Sequence, residues 1–155
     1  MAKRRDQIRM SDEEGWKLIE QQKSLQVATL NRDGSPHLTT LWFAIIDGKI
    51  VFETYTKSQK VVNLERDPRI AVLVEAGTGY DELRGVSISG TAEVVKDPER
   101  VHVIAREVMG RNHPGVPKDE VDELARRMAA KRSGVIVHPE KIVSWDHRKL
   151  AGVGL

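Results

Sequence analysis

A curved, antiparallel β-barrel carrying inserted helices is the fold that this sequence predicts, and three observations predict it. Short apolar stretches rich in β-branched residues follow one another from Leu25 onward. Two Asp-Gly pairs, Asp33-Gly34 and Asp47-Gly48, separate the first three of them. Asp-Gly tolerates the positive φ that a tight hairpin requires, so strands joined by it are antiparallel neighbours. Helical periodicity enters only between some strands, whereas a parallel sheet needs a crossover helix after nearly every one.

Each element follows from local chemistry. Ser11 and Glu14 stand at capping-box spacing, and Trp16, Leu18 and Ile19 supply the apolar face of a helix ending near Lys23. LQVATLN and HLTTLWFAII read as strands about the first Asp-Gly turn, and KIVFETY follows the second. RIAVLVEAG is the next strand. A loop holding Gly77 and Gly79 leads to LRGVSISGTAEVVK, whose Gly85 and Gly90 predict bends or bulges in a closing barrel. Asp97 caps a helix with Pro98 at its first position, expected to stop at Gly110. A Gly- and Pro-bearing loop over residues 112–117 precedes a helix with Val121, Leu124, Ala125 and Met128 on one face. GVIVHPEKIVSW closes the barrel with one or two strands.

Composition narrows the function. The 155 residues suit one domain, a flexible terminus over 1–10 and a single cofactor-binding unit over 11–155. Lys and Arg number 25 against 23 Asp and Glu, a net +2 that gives no field for holding nucleic acid. The absence of cysteine removes disulfides, thiolate nucleophiles and iron–sulfur ligation. No apolar run reaches the ~20 residues of a membrane span, and no signal region follows the basic start, so a cytoplasmic protein is expected. His37, His102, His113, His138 and His147 include no pair at ligand spacing, so no metal site is expected. Nucleophile-elbow, Gly-x-Gly-x-x-Gly and Walker signatures are missing.

One stretch offers an anion site, TYTKSQKVVNLERDPR, at residues 54–69. Ser58 can cap a helix running to about Arg66, leaving the amides of Gln59, Lys60 and Val61 at its positive end. Lys57 and Lys60 flank that end, Asn63 lies one turn beyond Lys60, and Thr54 and Thr56 add hydroxyls. A phosphate cradle and a solvated helix with ordinary surface lysines both fit these residues. The strand HLTTLWFAII is apolar on both faces, with Trp42 and Ala44 opposite Leu41 and Phe43. One face fills the barrel, and the other lines a planar ligand or a subunit interface, unless Trp42 is simply a core aromatic.

The order GSPHLTTLWF, KIVFETYTKSQKVVNLERDPRIAVLVE and LRGVSISGTAEVV resembles the flavin and deazaflavin oxidoreductase superfamily, the split β-barrel relatives of pyridoxamine 5′-phosphate oxidase. More narrowly it resembles the coenzyme F-420-dependent reductase branch, through Lys-Ser-Gln-Lys-x-x-Asn-Leu-x-x-Asp-Pro-Arg at residues 57–69. The resemblance implies an FMN-binding-like split barrel and a homodimer with cofactor sites at the subunit interface. It implies that Thr54, Thr56, Lys57, Ser58 and Lys60 hold the cofactor phosphate, with Asn63 nearby, and that Leu38, Thr40 and Trp42 lie along the ring. Tyr80 would reach across from the other subunit, and Trp145 and Arg148 would close the site. The ending SWDHRKLAGVGL departs from the Arg-Leu-His ending of true pyridoxamine phosphate oxidases, which argues against vitamin B6 oxidation.

The implied activity is hydride transfer from reduced coenzyme F-420, an 8-hydroxy-5-deazaflavin, to a conjugated, electron-poor small molecule such as a quinone, enone, nitroaromatic or biliverdin-like compound. His37 and Tyr80 are the candidate proton donors. An FMN-dependent oxidase or reductase shares the same phosphate site. A non-catalytic protein binding flavin, haem or a tetrapyrrole is the third expectation. Substrate choice falls to residues 77–84 and 110–118.

Overall fold

The computed structural model describes residues 3–151. Its strands are β1 (Ser24–Leu30), β2 (Pro36–Trp42), β3 (Ala44–Ile46), β4 (Lys49–Tyr55), β5 (Arg69–Ala76), β6 (Arg84–Val95) and β7 (Arg132–Asp146). Its helices are α1 (Arg4–Ile8), α2 (Asp12–Gln21), α3 (Gln59–Arg66), α4 (Pro98–Asn112) and α5 (Lys118–Ala129). The strands form one antiparallel sheet in the order β2-β1-β5-β6-β7-β4-β3. This is a split barrel, as the hairpins and bulges predict.

The turn chemistry acts as expected. Gly34 has φ +86°, and Asp47 and Gly48 have φ 51° and 73°, the two consecutive left-handed residues of a tight hairpin. Ser11 and Glu14 form the complete capping box of α2, and Asp97 caps α4 through the Arg100 N–H. The register of β6 against β7 slips between Ser89 and Gly90, where Pro139 stands opposite Gly90. Proline has no N–H to give the ladder, and a bulge absorbs the loss. A Cβ on Gly90 would sit 2.0 Å from the His138 carbonyl oxygen, so the bulge also demands glycine.

Two apolar cores flank the sheet. Inside the barrel, Leu25, Val27, Phe52, Val72, Val74 and Val135 are almost wholly buried, together with Phe43. Outside it, α4 and α5 pack Val101, Ile104, Val108 and Val121 over Ala44 and Val51. Burying each such side chain contributes roughly 1.5–3 kcal/mol.

Several elements differ from expectation. HLTTLWFAII is not one strand but two, broken at the fully buried Phe43. β3 pairs with β4 only as far as Val51, so β4 runs on to Tyr55 with no strand on that edge. Among the described residues β2 pairs only with β1. The barrel is split between these two free edges. α4 passes Gly110, which faces Val121 of α5, and ends two residues later. There the Asn112 amide and the His113 ring take the Val108 and Met109 carbonyls that a helix end leaves open. β7 is a single strand. The terminus read as flexible contains α1, and Met10 is buried with its N–H donating to Ser144 Oγ at 3.1 Å. Residues 152–155 of the expected domain lie outside the described residues. No helix among the described residues is long and apolar enough to cross a membrane.

Candidate functional site

The split holds a cleft of about 310 Å³. Leu41 and Trp42 line it from the end of β2, Glu53, Thr54 and Tyr55 from the free edge of β4, and Met109 and Met128 from the helices behind. Lys60 and Arg132 also reach it. An apolar wall with a few charged groups is the makeup of a small-molecule site.

The two cations are not equivalent. Arg132 Nη1 donates to Glu53 Oε2 at 2.8 Å, and its guanidinium lies 4.4 Å from the centroid of the Tyr55 ring. Burial works against the Arg132 charge, but the Glu53 carboxylate and the Tyr55 side chain together more than offset that and hold its pKa above the ordinary arginine value. Glu53 is thereby cancelled. Lys60 is half-buried and has no ion-pair or hydrogen-bond partner among the described residues, and burial pushes its pKa below the usual lysine value. A half-buried ammonium without an anion is the charge in this cleft that a ligand can answer.

Lys60 sits in the first turn of α3. Ser58 caps that helix, accepting the Val61 N–H at 3.3 Å, and Thr54 Oγ1 donates weakly to Ser58 Oγ at 3.5 Å. Of the three amides expected to be open, Val61 is therefore taken, while those of Gln59 and Lys60 have no partner among the described residues. These two N–H groups, the Lys60 ammonium and the exposed Lys57 stand within four residues at the start of α3, and cations beside open helix-start amides suit a phosphate or carboxylate.

The other expected residues separate into groups. Thr56, just past the end of β4, is hydrogen-bonded to Ser133 Oγ at 2.9 Å and lines a different cavity. Asn63 is not available to a ligand. It is fully buried, its amide nitrogen donates to Thr29 Oγ1 and Asn31 Oδ1, each at 3.0 Å, and its oxygen accepts from Gln59 and Arg66. Those four bonds fill both donors and both lone pairs of the side chain. Leu38 and Thr40 share with Trp42 the outer face of β2 and are exposed, away from the cleft lining. His37 lies on the opposite face, across from Thr29, with Nδ1 buried and unbonded. Tyr80 stacks on His147 at 4.6 Å, Trp145 covers Gly85, and Arg148 pairs with Asp146, all outside this chain's own cleft. The cleft residues that sequence reasoning missed are Glu53, Tyr55, Arg132, Met109 and Met128. A lone acid inside the apolar run KIVFETY was the one available signal for Glu53 and a buried partner.

A split antiparallel barrel with a cleft in its split is the architecture of the pyridoxamine 5′-phosphate oxidase class. The chain belongs to the pyridoxamine 5′-phosphate oxidase family, which it matches over residues 11–146. It is similar to the crystal structure of a conserved hypothetical protein, Rv2991, from Mycobacterium tuberculosis, with 44% identity and a TM-score of 0.89 over 99% of this chain and 95% of that one. An F-420 reductase is 24% identical with a TM-score of 0.63, over 81% of this chain and 93% of that one. HutZ, the haem storage protein of Vibrio cholerae, is 15% identical with a TM-score of 0.65, over 86% and 94%. No curated protein matches the sequence.

Proposed function

We propose that the protein is an oxidoreductase that uses reduced coenzyme F-420 to reduce a conjugated, electron-poor small molecule. The observation that carries an anionic cofactor is Lys60, a half-buried ammonium at a helix N-terminus that, like the amides of Gln59 and Lys60, has no partner among the described residues. The choice of a deazaflavin is supported by the pattern at residues 57–69 and its resemblance to the F-420-dependent branch. A bound deazaflavin supplies the hydride that no side chain can.

This chain's residues bind and shield. Lys60 and the start of α3 hold the phosphate, with Lys57 available to the anionic tail. Trp42, Leu41 and the two methionines exclude water from the apolar part. Glu53 is committed to Arg132, so among the described residues no free carboxyl group lines the cleft.

The functional unit we propose is a homodimer. Leu38 is 69% exposed and Trp42 44% exposed on the outer face of an edge strand, an arrangement that costs stability in water and favours a partner sheet. In such a dimer Tyr80 of the second copy would reach toward the site, as the family resemblance implies. Leu38→Asp is expected to leave a folded monomer where the unaltered protein sediments as a dimer. An unaltered protein that sediments as a monomer at micromolar concentration removes this part of the reading.

Parallel fluorescence titrations with F-420 and FMN test the cofactor. F-420 is expected to bind tightly, and Lys60→Ala to weaken it by roughly 1.5–3 kcal/mol, about ten- to a hundredfold in Kd. Tight binding of FMN alone would transfer the same site to an FMN-dependent enzyme, and binding of haemin alone would make it a carrier. Unchanged F-420 affinity in Lys60→Ala would take the phosphate away from this lysine.

A further inference from the structure

Behind the cleft lies a larger cavity, about 580 Å³, between β3 and the α4–α5 connection. Its size falls within the ~300–1,000 Å³ of small-molecule sites. The two spaces meet at a pair of rings. Trp42 lines the cleft, His113 lines the cavity, and they stand edge to face with centroids 5.5 Å apart. His113 Nδ1 lies 3.0 Å from the Met109 carbonyl, which can only accept, so Nδ1 carries the proton. Nε2 then has no partner among the described residues.

The wall chemistry is specific. Ala44, Ile45 and Val116 give it an apolar side. Arg111 is fixed by the carbonyls of Phe43, Ile19 and Glu20 at 3.2, 3.0 and 2.8 Å, with no carboxylate at ion-pair distance among the described residues. Lys118 has no ionic partner among them either, and Arg106 stands 3.6 Å from Asp122. Glu107 is the one carboxylate on the lining. The cavity thus joins an apolar side to an excess of positive charge, with Arg111 held in place and Lys118 exposed at its rim.

We propose that this cavity is the substrate site of the reductase and that it takes a conjugated molecule carrying a carboxylate, with its planar part toward Trp42 and its acid toward Arg111 and Lys118. The assignment rests on the cofactor reading of the neighbouring cleft. It commits the substrate class to acids, where a neutral quinone would leave the cations unanswered.

The test uses the full chain, isotopically labelled, titrated with 4-nitrobenzoate and with its neutral isostere 4-nitrobenzamide. Amide shifts at residues 44–45 and 110–121 are expected, with the acid binding roughly tenfold more tightly than the amide. Lys118→Glu should bring the two probes to near parity while leaving F-420 affinity, read separately by fluorescence, unchanged. Equal binding of the probes by the unaltered chain, or shifts confined to other residues, overturns the proposal even if F-420 binds. Failure of F-420 to bind, with the acid preference intact, removes the cofactor reading and with it the assignment as a substrate site.

Discussion

Replacing Arg132 by alanine is expected to cost about 3–5 kcal/mol of folding stability, the loss associated with stranding one member of a buried ion pair. The Glu53 side chain is 5% exposed and that of Arg132 19%. Arg132 stands opposite Tyr55 in the β4–β7 ladder, and Glu53 lies two residues along the same face, the diagonal position from which a long side chain is reached. No other cation lies at ion-pair distance from Glu53 among the described residues. Arg132→Ala therefore leaves a carboxylate in the split with neither partner nor full hydration. It also removes the cation over the Tyr55 ring, worth about 0.5–1 kcal/mol. The double variant Glu53→Leu, Arg132→Met should regain most of the loss, since a buried pair replaced by apolar residues of similar volume is often neutral. Urea unfolding of the three proteins decides it. A loss below about 1 kcal/mol in Arg132→Ala would mean that Glu53 is effectively solvated. F-420 affinity should fall as well, because an uncancelled Glu53 charge would repel an anion at Lys60.

The limits of reading this fold from sequence are set by distance along the chain. Turns and caps were legible because their chemistry is local. Asp47-Gly48, Ser11 with Glu14, Ser58, and Asp97 with Pro98 each act within four residues. The strand break at Phe43 was not legible, because HLTTLWFAII is apolar throughout and nothing in it marks where one edge leaves another. Only the pairing of β3 with β4, ending at Val51, shows that the split opens there. The candidate site divides in the same way. Lys60 and Ser58 were visible within one helix turn, whereas the Glu53–Arg132 pair spans 79 positions and depends on the register of β4 against β7. Trp42 was legible as a candidate residue and lines the cleft, whereas its contact with His113 on the neighbouring cavity was not legible. Gly110 misled for a physical reason. Glycine ends helices when it supplies a left-handed cap, but Gly110 has no positive φ and simply continues α4, and a Cβ there would meet Val121 of α5 at an ordinary contact distance of 3.9 Å.

Asn63 separates the roles of a ligand contact and a scaffold residue, and Asn63→Ala is expected to cost about 2–4 kcal/mol of stability. The estimate follows from what loses its partner. Thr29 is buried and loses a donor, and an unsatisfied buried polar group costs about 1–3 kcal/mol. Asn31, Gln59 and Arg66 each lose one bond but sit nearer to water, so their share is smaller. These bonds fasten α3 to the end of β1, which fixes the direction in which the free amides of Gln59 and Lys60 point. Asn63→Asp keeps the shape and the acceptor for Arg66 but removes both donors, so it too should destabilise. For the folded fraction of either variant, F-420 affinity should fall less than in Lys60→Ala, since the cation and the cap remain. Thermal melts with and without F-420, alongside fluorescence titration, measure both quantities on the same samples. A variant at position 63 with wild-type stability and an affinity loss as large as that of Lys60→Ala would return Asn63 to the ligand. The hydrogen bonds predict the reverse, because an amide whose four positions are already filled has nothing left to offer a phosphate.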